Sequence, residues 1–330
     1  MSRGDRGSVV VCGEALVDLI PTGSGDEVGY VPRPGGSPYN VAIALARLEV
    51  PTAFLGRISD DVFGERLTGH LEANGVDLRY VRRSPEPTTL AFVHVEEGRE
   101  PSYSFYREGT ADRSLATEDA PEAFPDEVRA LHVSLGSITL AVEPAASTLR
   151  SLIEREHGTR IVSFDPNVRA QLIDDRERYV HLLDGWLPFV DVAKASRADL
   201  AWLHPGEDVE LIGRRWLDLG VGFVVISLGP EGALAISPGG AVRVSGLRVE
   251  VVDTVGAGDA FTAGLLTSLR AMDLLHCDRL ARASTAELTD VLSCALRVAA
   301  LTCTRVGADP PTRRELEASA SGDREATSTR

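Results

Sequence analysis

Apolar and polar positions in this chain follow two rhythms. Short, mostly apolar runs recur at 9–12, 52–56, 130–135, 161–164, 190–193 and 223–227. Runs of that length and purity predict strands buried on both faces. Between them the apolar residues return every three or four positions, which predicts helices over 39–48, 63–74, 144–154, 178–184, 197–203, 209–219, 260–272 and 285–302. In the first of these, Val41, Ala42, Leu45, Ala46 and Leu48 form the apolar face, and Asn74-Gly75 stops the second. Repeated strand–helix units predict an α/β fold with a doubly wound, mainly parallel sheet and right-handed crossovers.

Three stretches break the alternation. At 90–95 and 101–106 two strands are predicted around a turn at Glu97-Gly98, a small antiparallel insertion distinct from the main body. Residues 233–236 read as a hairpin partner of the strand at 223–227, and Val249, Val251 and Val252 as the end of a further strand. The segment 318–330 is rich in Ser, Ala, Thr and charge without an apolar face, which predicts a disordered tail.

Composition narrows the class. With 330 residues the chain holds one large or two ordinary domains, and 43% apolar residues is the share of a soluble globular protein. No apolar run is long enough to span a bilayer, and the polar start shows no signal-peptide pattern, so a cytoplasmic location is the expectation. The net charge of −15 argues against a nucleic-acid surface, though not against a nucleotide. Cys12, Cys277, Cys294 and Cys303 form no metal-binding spacing and read as reduced core residues. Lys194 is the only lysine, and no P-loop is present, so any phosphate chemistry uses another scaffold.

The chemistry concentrates at Asp253-Thr254-Val255-Gly256-Ala257-Gly258-Asp259, a glycine-rich turn leading into a helix. Glycines let the backbone approach a ligand, and the first helical amides favour phosphate or developing negative charge. A carboxylate there, Asp259, makes sense as the base that takes a proton from a hydroxyl attacking that phosphate. The amides around Gly256, Ala257 and Gly258 would stabilise charge on the transferred group. A second glycine pair lies at Pro34-Gly35-Gly36-Ser37-Pro38-Tyr39-Asn40, where Asn40 offers a donor and an acceptor to a hydroxyl. Gly56-Arg57-Ile58-Ser59-Asp60-Asp61-Val62-Phe63-Gly64 follows it. Asp18, just past the first buried strand, sits on the usual ligand edge of a doubly wound sheet.

In this order and spacing the motifs resemble those of the ribokinase-like (PfkB) carbohydrate kinases over about 9–308. The resemblance implies one kinase domain over 9–312, with a β lid from about 14–35 and 88–112, and a MgATP-dependent transfer to a sugar hydroxyl. It places the sugar against Asp18, Gly35, Gly36, Asn40, Tyr106, Arg107 and Arg169. The last three belong to Phe105-Tyr106-Arg107 and Asp165-Pro166-Asn167-Val168-Arg169, which are similar to elements of the fructokinase-like and 2-keto-3-deoxygluconate-kinase-like members. Lys194, Ser196, Ser227, Gly229, Gly232, Gly256 and Gly258 would line the nucleotide.

The resemblance assigns Asp199 to magnesium through water. Ser196 and Asp199 stand where many relatives carry an N-x-x-E element, and a helix N-cap at Ser196 explains the pattern almost as well. Asp253 and Val255 would serve a monovalent cation such as potassium, and a homodimer through the lid is a further expectation of the family. Fructose comes first among substrates, 2-keto-3-deoxygluconate second, then ribose or a nucleoside. A sugar-binding regulator without catalysis is the alternative of another class. A dinucleotide-dependent dehydrogenase is disfavoured because no GxGxxG follows the first strand.

Overall fold

The computed structural model describes residues 7–23, 28–94, 102–136, 138 and 140–328. The N-terminal part runs β1 (Ser8–Cys12), β2 (Leu16–Thr22), β3 (Gly29–Gly35), α1 (Ser37–Arg47), β4 (Thr52–Ser59), α2 (Val62–Ala73), β5 (Asp77–Ser84), β6 (Thr89–His94) and β7 (Ser102–Tyr106). The middle adds β8 (Val128–Ser134), α3 (Ala145–Glu156), β9 (Ile161–Asp165), α4 (Arg176–Trp186), β10 (Val192–Ser196), α5 (Arg197–Leu203) and α6 (Val209–Asp218). The chain ends with β11 (Phe223–Ser227), β12 (Ala233–Ser237), β13 (Gly240–Val244), α7 (Ala257–Ala271), α8 (Cys277–Leu280), α9 (Thr285–Cys303) and α10 (Arg313–Ser328).

The main sheet has nine strands in the order β13-β12-β11-β10-β9-β8-β1-β4-β5. Every pair from β11 to β5 is parallel, and β12 and β13 close one edge antiparallel. Strand β1 explains why such strands are continuously apolar. Val9 and Val11 enter the core under α1, α2, α7 and α9, while Val10 and Cys12 enter the core under α3, α4, α5 and α6. All four are 0% exposed. From β1 the chain winds one way to β4 and β5, and from β8 the other way to β11. The order therefore reverses between β1 and β8, and such a switch point opens a crevice at the carboxyl ends of the strands.

A second sheet of four strands, ordered β3-β2-β6-β7, forms the lid. Its β2–β3 and β6–β7 pairs are antiparallel, and β2 and β6 join them in parallel. The turn expected at Glu97-Gly98 lies outside the described residues. Asp61 ties the lid's base to the main body. Its carboxylate caps α2 by accepting from the amides of Phe63 and Gly64, and it also accepts from the Thr88 amide and hydroxyl.

Two expectations are corrected. Val249, Val251 and Val252 are exposed and form no strand, because β13 ends the sheet edge at Val244 and leaves them no ladder to join. Helix α10 extends over Arg313–Ser328, through most of the segment expected to be a disordered tail. Its start is fixed by Glu315, which accepts from the amide and hydroxyl of Thr312, and its Ala, Glu and Arg residues are good helix formers. Among the described residues no helix is long and apolar enough to cross a membrane.

Candidate active site

The carboxyl ends of β1, β8, β9, β10 and β11 present Gly13, Ser134, Asp165, Ser196 and Ser227 side by side along one edge of the main sheet. Over this row stands the N-terminus of α7. Its cap residue, Gly256, takes the left-handed conformation at φ 74°, and a Cβ there would lie 2.6 Å from the Cβ of Ala308. Only glycine makes both the turn and the close approach. Asp259 follows in the first helical turn. Its Oδ1 accepts from the Ser37 hydroxyl at 2.7 Å and its Oδ2 from the Asn40 amide at 2.8 Å. Burial raises the pKa of Asp259, against the lowering effect of Ser37, Asn40, Lys194 and Arg169. A carboxylate with raised proton affinity at a helix N-terminus is suited to receive a proton beside a site for anionic charge.

Lys194, on β10, is fully enclosed and pairs with Asp165 Oδ2 at 2.7 Å. Burial disfavours its charge, but Asp165 and Asp199 outweigh that and raise its pKa. Its Nζ would lie 3.4 Å from a Cβ on Gly258, so the ammonium sits directly beneath the glycine turn. The chain's only lysine thus meets the anion-binding corner.

Across the cleft, Asp18 projects from β2 in register with Ala91 on β6. Burial pushes its carboxyl up to about 6, with Arg169 pulling it down and Asp259 adding to the rise. Gly35 faces it on β3, and a Cβ at Gly35 would come within 2.3 Å of Asp18 Oδ2. Gly36 caps α1 without a side-chain bond, which leaves Ser37 and Asn40, three residues apart on one helix face, aimed at Asp259. Arg169 is anchored by Asn167 Oδ1 at 2.6 Å and acts electrostatically on both Asp18 and Asp259.

Asp18, Gly35, Asn40, Arg169, Lys194, Gly258 and Asp259 therefore converge. Tyr106 does not join them. Side chains alternate along a strand, and the register puts Asp18, Ala91 and Phe105 on one face of the lid while Tyr106 lies on the other. There it is 65% exposed and packs against Phe92. Tyr103, two residues before Phe105, shares the Asp18 face, and its pKa is raised by burial and then by Asp18. Tyr103, stacked on Phe105, is an aromatic on the Asp18 face that sequence reasoning missed. Arg107 sits at the lid's end, where burial and then Arg113 lower its pKa against the opposing pull of Glu108, Asp174 and Asp112.

Ser37, Ser134 and Glu14 were also missed. Glu14 is buried and accepts from the Ile138 amide at 3.0 Å. A glutamate placed directly after a fully apolar strand was the available signal.

Ser227, Gly229 and Gly232 form the turn after β11, closed by the Leu228 amide on the Gly232 carbonyl at 2.8 Å. Asp253 knits two loops together, accepting from the Val255 amide at 3.0 Å and the Gly307 amide at 2.7 Å. Asp199 completes the capping box of α5. Its Oδ2 accepts from the Ser196 amide and hydroxyl and its Oδ1 from the Val168 amide, so it caps α5 and braces the turn after β9. Among the described residues no three metal-ligating side chains gather at one point.

With this geometry in place, comparison with known proteins is decisive. The profile of the pfkB family carbohydrate kinases matches residues 6–314. The chain belongs to that family. A fructokinase from Rhizobium leguminosarum bv. trifolii is 41% identical over 268 residues, covering 81% of each chain. A fructokinase double mutant from Vibrio cholerae O395, solved in a fructose, ADP and potassium ion bound form, superposes with a TM-score of 0.82 at 33% identity, covering 95% of this chain and 98% of the other. An aminoimidazole riboside kinase from Salmonella enterica, complexed with aminoimidazole riboside and an ATP analogue, follows at a TM-score of 0.80 and 29% identity, covering 94% and 99%. The ribokinase-like fold expected from the motifs is the fold observed, and the protein is a carbohydrate kinase.

Proposed function

We propose that this protein is a fructokinase, transferring the γ-phosphoryl group of ATP to a hydroxyl of fructose to give a fructose phosphate and ADP. One observation carries the reading. Asp259 stands at the start of α7 beside the Gly256–Gly258 turn and faces Asp18 across the cleft, so a proton acceptor and a sugar-binding carboxylate flank one anion-binding corner. In the reaction, the sugar oxygen forms a new bond to phosphorus as Asp259 takes its proton. The bond from phosphorus to the bridging oxygen breaks, and its electron pair leaves with ADP. The ionised Asp18 accepts from sugar hydroxyls, Arg169 lines the same wall, and Tyr103 offers its ring from the lid.

The amides of the 256–258 turn and Lys194 stabilise the negative charge of the moving phosphoryl group. Ser196, Ser227, Gly229 and Gly232, along the neighbouring strand ends, line the nucleotide. Mg²⁺, entering with ATP, supplies charge neutralisation between phosphates. Asp165 and Asp199 fit it only through water, since their oxygens already hold Lys194 and the α5 cap. Asp253 and the adjoining loop at Val255 offer hard oxygen atoms suited to a potassium ion. The enzyme acts in the cytoplasm, as a homodimer formed through the lid, whose exposed Tyr30 and Tyr106, on the face away from Asp18, support that assembly.

The test is ATP-dependent phosphorylation of fructose, 2-keto-3-deoxygluconate, ribose and adenosine in parallel, with Asp259→Asn beside the parent. Turnover of fructose that disappears in the variant is the expected result. Preference for 2-keto-3-deoxygluconate would move the substrate assignment to that acid, whose carboxylate Arg169 can meet. Sugar binding without turnover of any substrate would sink the kinase reading.

A further inference from the structure

Behind Asp259 lies a feature that the proposed reaction leaves unexplained. Ser37 Oγ is 2.7 Å from Asp259 Oδ1 and also 2.7 Å from Ser134 Oγ. Ser37 opens α1 and Ser134 ends β8, and they are 4% and 0% exposed. The three residues form a buried chain across the switch point of the sheet, joining α7, α1 and the strand next to β1. No substrate is needed to explain these contacts, and Ser134 is fully buried.

We propose that Ser37 and Ser134 are positioning residues that hold Asp259 in its working orientation and restrain its proton affinity. This rests on the reading of Asp259 as the base. With the carboxylate ionised, Ser37 donates to Oδ1, which leaves Ser37 Oγ as an acceptor for the Ser134 hydroxyl. Two hydroxyl dipoles then point the same way, toward the negative charge, and each strengthens the other. Asn40 fixes the second oxygen from the same face of α1, so the carboxylate plane is clamped at both ends. Burial alone would drive Asp259 toward the neutral acid, which cannot take a proton. Hydrogen bonds to the charged form oppose that drift.

The same heavy atoms also suit the state after proton uptake. Between Ser37 and Ser134 either oxygen can donate. If the proton resides on Oδ1, Ser37 turns to accept it and donates to Ser134 instead, with no displacement beyond two hydroxyl hydrogens. Asn40 has no such freedom through its NH₂ group. The serine side of the carboxylate is therefore the side able to stay hydrogen-bonded in both charge states.

Other charged groups act on Asp259 as well. Lys194 on β10 and Arg169 after β9 favour its ionised form, and Asp18 on β2 couples to it with the opposite sign. On β8, His132 is fully buried, held well below its usual range at about 3 by burial and then by Lys194, and stays neutral. All of these groups persist when a serine hydroxyl is removed, so a change on its removal reports the serine chain.

The test is a ¹³C-carboxyl titration of Asp259 in the unliganded protein, assigned by its loss in Asp259→Asn, alongside pH profiles of kcat/KM for fructose. In Ser37→Ala the Asp259 pKa is expected to rise by about one unit, with the acid limb of the rate profile moving by the same amount. Ser134→Ala should move both in the same direction by a smaller amount, because it weakens the Ser37 bond without deleting it. The fructose KM above the limb should not change. A structural defect alone would lower kcat at every pH and leave the limb in place. An unmoved carboxyl titration in both variants would overturn the proposal, and Ser134→Ala decides the matter if Ser37→Ala does not fold. A parent enzyme that fails to phosphorylate fructose refutes the fructokinase reading instead, while the titration still reads the serine chain.

Discussion

The two sheets of this protein use the same period-two geometry to opposite ends. In the main sheet both faces are buried, so most side chains along β1, β8, β9, β10 and β11 build core, and the polar groups gather at or near the strand ends. The lid has one face toward the cleft, while its other face buries Val17 and Leu19 in the core and leaves Tyr106 exposed, so chemistry lies along its strands, on alternate residues. Asp18 and Tyr103 stand within lid strands, whereas Asp165 and Ser196 stand at the ends of core strands. The lesson concerns tolerance. A one-residue error in the main sheet would empty the core, whereas in the lid it would exchange the ligand face for the outer face.

The sharpest way to break this comparison is at its meeting point. Asp259→Asn should lower kcat for fructose by about 10³-fold while leaving the fructose KM within a few-fold, since a general base contributes on the order of 10² to 10⁴. Steady-state kinetics checks it, and a variant retaining a tenth of the parent kcat would remove Asp259 from its assigned task.

Next in size is Gly35→Ala. Its new Cβ, 2.3 Å from Asp18 Oδ2, must displace the carboxylate, and misplacement on that scale costs about 10²-fold in kcat/KM. Restored activity in the double variant Gly35→Ala, Asp18→Gly would contradict the assignment, because it would show the clash rather than the lost carboxylate to be the cause.

Asp18→Asn should raise the fructose KM at least about tenfold. It should also stabilise the unliganded fold. The folded pKa of Asp18, about 6, lies above the ordinary value of 3.8, so the fold binds this proton more tightly than the unfolded chain does. Its contribution to stability is fully present below about pH 4 and is lost as pH rises through about 6. The neutral Asn escapes that loss, and a Tm increase of a few degrees at pH 7.5 is expected by calorimetry. The parent's fructose KM should climb as pH falls below about 6, where Asp18 becomes neutral, and Asp18→Asn should flatten that dependence.

The smallest effect distinguishes the lid's two faces directly. Tyr103→Ala should raise the fructose KM several-fold, and Tyr106→Ala should leave it unchanged while weakening self-association in sedimentation experiments. The reverse pattern would mean that the lid closes with its other face inward.

The main sheet was legible because burial on both faces writes itself into the sequence as unbroken apolar runs, and the glycine turns declared themselves by residue type. Asp259 could be placed at a helix start from 253–261 alone. Tyr106 could not be placed, since the phase of a lid strand relative to Asp18 is set by pairing with β6, and pairing is not written in either strand. The run Val249 to Val252 shows the converse failure, because a strand-like pattern forms no strand without an edge to join.

By itself, then, the sequence determined the alternation of strands and helices, the family motifs and the residue types that a phosphoryl-transfer site needs. Only the tertiary structure decided that Ser134 and Ser37, 97 positions apart, stand in line behind Asp259, that Lys194 lies beneath the glycine turn, and that Tyr103 rather than Tyr106 shares the face of Asp18. The reason is physical. Periodicity and turn chemistry act over a few residues and are recorded locally. A buried hydrogen bond between distant strands depends on sheet order and register, which the whole core fixes at once.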